Sequence, residues 1–125
     1  MTNDCLFCKE TTVAKRVLEG KRFYVVFDEY PVNPGHLLLI PKRHVPDLFD
    51  LDDAEFSELR SMLKKSREML DAKLRPDGYN VGANCGSAAG QTIHHAHIHM
   101  IPRFANDVRN PRGGIRNIKR PLRRY

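Results

Sequence analysis

The chain has 125 residues, enough for one domain with one modest core, and no apolar run reaches the roughly 18 residues that a membrane-spanning helix needs. The net charge is +6, but residues 103–125 carry eight Arg or Lys and one Asp, whereas residues 1–102 carry thirteen basic and fourteen acidic groups. Met1-Thr2-Asn3-Asp4 lacks the basic-then-apolar pattern of a secretory signal, and three cysteines fit a reducing compartment better than a disulfide scaffold, so a cytoplasmic location is expected.

Cys5 and Cys8 come first, as Cys-Leu-Phe-Cys. Such a pair can supply half of a tetrahedral zinc site or act as a redox couple at a helix start. The redox reading expects a βαβ unit to follow. The following residues instead read as two strands, Thr12–Leu18 and Arg22–Phe27, joined at Glu19-Gly20-Lys21 by a tight turn. Zinc would need two more ligands. Arg22–Phe27 is rich in aromatic and β-branched residues, and Asp28 closes it. Pro31 and Pro34-Gly35 make a loop, and His36–Ile40 reads as a strand that is buried or centrally paired, ended by Pro41. His44 follows in a Lys-Arg-His turn and becomes a candidate ligand only in company with Cys5 and Cys8.

Asp52 opens one clear helix. Asp52 as N-cap with Glu55 three residues on forms a capping box, and Leu51 with Phe56 suits a hydrophobic staple. Phe56, Leu59, Leu63, Leu70 and Leu74 keep helical spacing, flanked by Met62 and Met69, so this amphipathic helix is expected to cover a sheet. Pro76-Asp77-Gly78 ends it, and Tyr79–Ala83 reads as another strand. The small-residue loop Asn84–Thr92, with glycines at 86 and 90, lets backbone N–H groups approach an anion closely. It matches neither the P-loop nor the dinucleotide fingerprint.

Four of the six histidines then fall between positions 94 and 99, in His94-His95-Ala96-His97-Ile98-His99-Met100-Ile101. Read as a strand, His95, His97 and His99 share one face about 6–7 Å apart, while Ala96, Ile98 and Met100 face a core and His94 begins the apolar side. Three histidines spaced by two on one flat strand do not converge easily on a single ion, although two could. A neutral imidazole flanked by donors can attack phosphorus, and the middle position favours His97 as that nucleophile. The basic end, residues 109–125, reads as a tail able to hold polyanions, a phosphate chain or a nucleic acid, behind a domain of residues 1–108.

The run Gln91-Thr92-Ile93-His94-His95-Ala96-His97-Ile98-His99-Met100-Ile101 resembles the His-φ-His-φ-His-φ-φ motif of the histidine triad nucleotide hydrolases and transferases, with φ apolar. Pro34-Gly35-His36-Leu37-Leu38-Leu39-Ile40-Pro41-Lys42-Arg43-His44 is similar to the same family, and the resemblance covers roughly residues 5 to 103. It implies an α+β fold, a mostly antiparallel sheet of about five strands with one main helix, in a homodimer. It further implies that His97 attacks the α-phosphate of an adenine nucleotide derivative, forming a nucleotidyl-histidine that water or another acceptor then releases. His99 would contact that phosphate. Gln91, Thr92 and the Gly90 loop would contact phosphate or the leaving group, Asn84 the ribose–phosphate region, Asp28 the sugar hydroxyls, and Phe27 the base. In the branch with an N-terminal C-x-x-C, the resemblance implies a structural zinc held by Cys5, Cys8, His44 and His95. Dinucleoside polyphosphates and nucleoside phosphoramidates are the substrate classes implied. A nucleotide sensor without turnover, and removal of a 5′-adenylate from nucleic acid bound at the tail, are the alternatives.

Overall fold

A computed structural model describes residues 4–119. Five strands, β1 (Leu18–Glu19), β2 (Phe23–Phe27), β3 (Leu37–Pro41), β4 (Gly78–Gly82) and β5 (Ile98–Arg103), form one sheet in the order β1-β2-β3-β5-β4. Every neighbouring pair is antiparallel. Among the described residues there are two α-helices, α1 (Glu10–Val13) and α2 (Asp53–Leu74). No helix among the described residues is long and apolar enough to cross a membrane.

The central strands are buried on both faces, as the uninterrupted apolar character of Phe23–Phe27 and Leu37–Ile40 requires. On one face Phe23, Val25, Leu37, Leu39, Ile98 and Met100 pack against Leu59, Met62 and Leu70 of α2. On the other, Tyr24, Val26, Leu38 and Ile40 pack against Phe7, with Cys5, Val13 and Ile93 alongside. The helix begins where its sequence dictates. The Asp52 carboxylate accepts from Glu55 N–H at 2.8 Å, and Glu55 Oε1 accepts from Asp52 N–H at 2.9 Å. Arg75 ends it in the left-handed conformation, at φ 48°.

Three local expectations are revised. Thr12–Leu18 is not a strand: residues 10–13 form α1, and only Leu18–Glu19 pairs with β2, at Leu18↔Val25 and Glu19↔Tyr24. The Thr12 hydroxyl donates to Leu6 C=O at 2.7 Å, a local bond that favours the turn over extension. Phe56 is 41% exposed, so the inner stripe of α2 runs instead through Glu55, Leu59, Met62, Ser66 and Leu70. Glu55 can lie inward because Arg43 Nη2 reaches its Oε1 at 2.6 Å, which holds the carboxyl below its usual range, the Arg43 hydrogen bond being the main cause. Finally, the ladder of β5 starts only at Ile98, so His95 and His97 lie in the segment leading into it, and His94 is exposed.

Candidate active site and metal cluster

The register of the sheet brings the histidines together with residues distant in sequence. Leu38 pairs with His99, placing His99 on the face that also carries Tyr24, Val26 and Ile40. A cavity of about 300 Å³ opens on this face. Leu6, Phe7, Val26, Phe27, Leu38 and Ile93 give it apolar walls, and His97, His99, Asn84, Gly90, Thr92 and Asp28 give it a polar side. Lys15, Glu29, Thr12 and Tyr30 complete the lining, with Lys15 Nζ 2.9 Å from Glu29 Oε1. Apolar walls with a few convergent polar groups are the usual make-up of a small-molecule site.

The tautomers follow from the hydrogen bonds. His97 Nδ1 is 2.8 Å from His95 C=O, which can only accept, so Nδ1 carries the hydrogen and Nε2 the free lone pair. Val32 N–H donates to His36 Nδ1 at 3.0 Å, which puts the His36 hydrogen on Nε2. That atom lies 2.9 Å from His99 Nδ1 and 3.4 Å from Asp28 Oδ2. Donated to His99, the hydrogen leaves His99 with its own N–H on Nε2. The arrangement therefore supplies a lone pair at His97 and a donor at His99 on the same cavity. Burial first, then the neighbouring His97 and His36, push His99 down to about 4, while Asp28 pulls the other way. Burial also lowers His36, again against Asp28. Asp28, His36 and His99 could converge on a cation by distance alone, but both His36 nitrogens are engaged.

This shift carries a stability consequence. The unfolded His99 titrates near 6.5 and the folded one near 4, so between those values the unfolded chain binds a proton that the fold refuses. Stability falls as pH drops from about 6.5 to about 4 and levels off below, by on the order of 3 kcal/mol from this group. Urea unfolding at pH 7, 5.5 and 4.5 should show a steeper acid loss for the wild type than for His99→Gln. Parallel losses would remove His99 as the cause.

His95 faces away from this cavity and is fully buried. Its Nε2–H donates to Pro41 C=O at 2.7 Å, which leaves the Nδ1 lone pair turned toward Cys5, Cys8 and His44. His95 Nδ1 is 3.1 Å from His44 Nδ1, 3.4 Å from Cys5 Sγ and 3.6 Å from Cys8 Sγ, and Cys8 Sγ is 3.3 Å from His44 Nδ1. Bonds of about 2.0–2.1 Å to nitrogen and about 2.3 Å to sulfur give a tetrahedron with edges of about 3.3 Å between nitrogens and about 3.5 Å between nitrogen and sulfur. The four atoms fit that frame, so Cys5, Cys8, His44 and His95 could hold a metal ion. Arg43 steadies the exposed His44 turn, through Glu55 and through Asp50 C=O at 3.0 Å. Burial first, then the neighbouring Cys5 thiol, pushes the Cys8 thiol up. Loading a metal therefore displaces protons.

Of the residues expected at the nucleotide site, His97, His99, Asp28, Phe27, Asn84, Gly90 and Thr92 line the cavity. Gln91 does not. It is 6% exposed, its amide donates to Pro46 C=O at 2.6 Å and Ile93 C=O at 3.1 Å, and its Oε1 accepts from Gly86 N–H at 2.8 Å. Its side chain shapes the loop. The loop also uses the N–H groups of Ala89, Gly90 and Gln91 internally, so its expected role as a nest of free donors is reduced. His36 was not expected at the site. A lone histidine heading an apolar strand carries no chemical signal in sequence, and only the β3/β5 register sets it beside His99.

A family model described as "HIT domain" matches residues 9–106. The chain belongs to the histidine triad (HIT) family. Among curated HIT relatives it is similar to the AP-4-A phosphorylase of Mycobacterium tuberculosis, 42% identical over 93 residues that cover 74% of this chain and 48% of that protein. It is also similar to the asymmetrical bis(5'-nucleosyl)-tetraphosphatase of Schizosaccharomyces pombe, 40% identical over 77 residues that cover 62% of this chain and 42% of that protein. The chain thus spans about half the length, or less, of these two relatives. Among solved structures it resembles a Zn-bound histidine triad family protein from Mycobacterium smegmatis, with TM-score 0.74, 32% identity, and coverage of 83% of this chain and 78% of that one. The α+β architecture described above is the HIT fold.

Proposed function

We propose that this HIT protein is a nucleotidyl hydrolase that cleaves the α-phosphate linkage of adenine nucleotide derivatives, dinucleoside polyphosphates or nucleoside phosphoramidates, through His97. The observation that carries this reading is the 2.8 Å bond from His97 Nδ1 to His95 C=O, which commits the Nε2 lone pair of a cavity-lining histidine. In the proposed reaction Nε2 forms a bond to the α-phosphorus while the bond to the leaving group breaks, and the leaving group departs with its electron pair. His99 Nε2–H donates to a phosphoryl oxygen as charge grows there. His36 holds His99 in that tautomer, and Asp28 offers its carboxylate to the sugar hydroxyls. Asn84, Thr92 and the Gly90 turn border the phosphates, and Phe27 borders the base. Water then attacks phosphorus, releases AMP and restores His97.

Transfer to inorganic phosphate in place of water is the second reading, favoured by the name of the mycobacterial relative. The yeast relative's name supports hydrolysis. Diadenosine tetraphosphate distinguishes them. Hydrolysis gives AMP and ATP, and phosphorolysis gives ADP and ATP only when phosphate is present. Adenosine phosphoramidate tests the other leaving-group class. Binding of AMP without turnover of either compound would overturn the enzymatic reading and leave a nucleotide sensor.

The metal proposed for the Cys5, Cys8, His44 and His95 cluster is zinc, because two thiolates and two imidazoles in a closed tetrahedral set are its characteristic donors. A zinc ion with four protein ligands has no open position for substrate, so its contribution is to hold the N-terminal turn to the segment bearing His95. The same reading takes residues 1–108 as the catalytic domain of a cytoplasmic homodimer. Residues 109–125 form its basic tail, which draws in the phosphate chain of the substrate. Residues 120–125 lie outside the described part of the chain.

A further inference from the structure

One side chain stands between the metal cluster and the cavity. Phe7 is 4% exposed and sits in the 3-10 turn Leu6–Cys8, flanked by Cys5 and Cys8. Its ring meets His95 edge-on, with centroids 5.9 Å apart and planes at 89°, and it meets His97 at 4.9 Å and 67°. The same ring lines the cavity. A turn this short is not stable by itself. It is held by the Cys8 N–H to Cys5 C=O bond at 3.1 Å, by Thr12 Oγ1 on Leu6 C=O, and by the Tyr24 hydroxyl, which donates to Phe7 C=O at 2.5 Å.

We propose that Phe7 is a positioning residue that couples the Cys5–Cys8–His44–His95 cluster to the nucleotide cavity, so that metal and nucleotide bind with positive cooperativity. This rests on the zinc and nucleotide readings above and adds to them a free energy shared between the two sites. A cation gripping Cys5 and Cys8 orders the turn and sets the Phe7 ring against His95 and His97. A nucleoside packing on Phe7 from the cavity side then meets a wall already ordered, and its binding loses less conformational entropy. Coupling of this kind is reciprocal, because each ligand tightens the other by the same factor. The His95 C=O to His97 Nδ1 bond is a second link through the backbone, so removing Phe7 reduces the coupling and need not erase it.

The test is the zinc affinity of the full chain, by competition with a chromophoric chelator, with and without saturating AMP. In the wild type AMP should tighten zinc by about 5- to 50-fold, and zinc should tighten AMP equally. Phe7→Leu keeps an apolar filler but loses the edge-to-face contacts, and Phe7→Met serves if the leucine variant does not fold. Either should bind both ligands with the factor reduced to about two or less. Leu6→Ala, which lines the same cavity but supplies none of the ring contacts that Phe7 makes to His95 and His97, should weaken AMP yet keep the factor. A wild-type factor of one, or an unchanged factor in the Phe7 variants, overturns the proposal while leaving both binding readings intact. Failure to bind zinc, or to bind AMP, overturns the corresponding reading and this one with it.

Discussion

His97→Ala should lower the turnover of diadenosine tetraphosphate or adenosine phosphoramidate by roughly 10⁴-fold or more while changing AMP affinity by less than about tenfold. The asymmetry follows from what the other imidazoles are doing. His99 Nδ1 faces the His36 Nε2–H at 2.9 Å, which makes His99 a donor toward the cavity. The His95 lone pair faces the metal cluster, and its other nitrogen is spent on Pro41 C=O. His36 has both nitrogens engaged. None of the three offers a spare lone pair to the cavity, so on the proposed reading no neighbour can take over the attack. On the proposed reading the apolar walls and Asp28 carry most of the nucleotide binding, and the substitution leaves them in place. The comparison to make is single-turnover rate against AMP dissociation constant for the two proteins. A variant that keeps its rate within tenfold would show that another group forms the bond to phosphorus. A variant that loses AMP binding in parallel would place His97 in ground-state binding.

The placement of His97 and His99 was legible because the spacing of the histidine row is short-range information. Alternation put His97 and His99 together, as the cavity has them, but it also put His95 on their face; the grouping of the C-x-x-C pair with His44 and His95 came from the family resemblance. What a one-dimensional reading could not give is the division of labour at atomic level. The face that His95 presents depends on the Pro41 carbonyl, 54 residues away. The tautomer of His99 depends on His36, 63 residues away, and that of His36 on Val32 N–H. Gln91 was assigned to phosphate contact on resemblance, but its amide faces Pro46 and Gly86, and a glutamine's partners cannot be read from its neighbours in sequence.

The same contrast holds for the fold. Helix α2 was readable from both ends because its capping box and terminating Pro-Asp-Gly are local, and β2 and β3 because their apolar residues are continuous. Thr12–Leu18 misled because Thr12, Val13 and Val17 are β-branched, and β propensity loses to tertiary context. There the chain turns so that Val13 packs beneath the sheet beside Phe7. The inner stripe of α2 was offset for a related reason. Glu55 is carried inward by a salt bridge to Arg43, and a charge on a buried stripe is not what hydrophobic periodicity looks for.

Stripping the metal should lower the unfolding midpoint by roughly 15 °C, and Cys8→Ser should reproduce most of that loss, whereas Cys85→Ser should not. A ligand held only by the folded state stabilises it by about 4 kcal/mol when present at a thousand times its dissociation constant, and a domain of this size moves by a few degrees per kcal/mol. The effect should be concentrated at the N-terminal turn. Cys5 and Cys8 contribute two of the four donor atoms, while His44 and His95 reach the cluster from either side of α2 in sequence. Cys85 stands outside the cluster and serves as the thiol control. Differential scanning calorimetry of zinc-loaded, chelator-treated and reloaded protein measures the change, and equal midpoints in all three would remove the structural metal. Because the ligands must lose their protons to bind, the difference between loaded and stripped protein should also shrink on acidification. A midpoint difference that stayed constant from pH 7.5 to pH 5 would argue that stability is coming from hydrogen bonds within the cluster rather than from a bound cation.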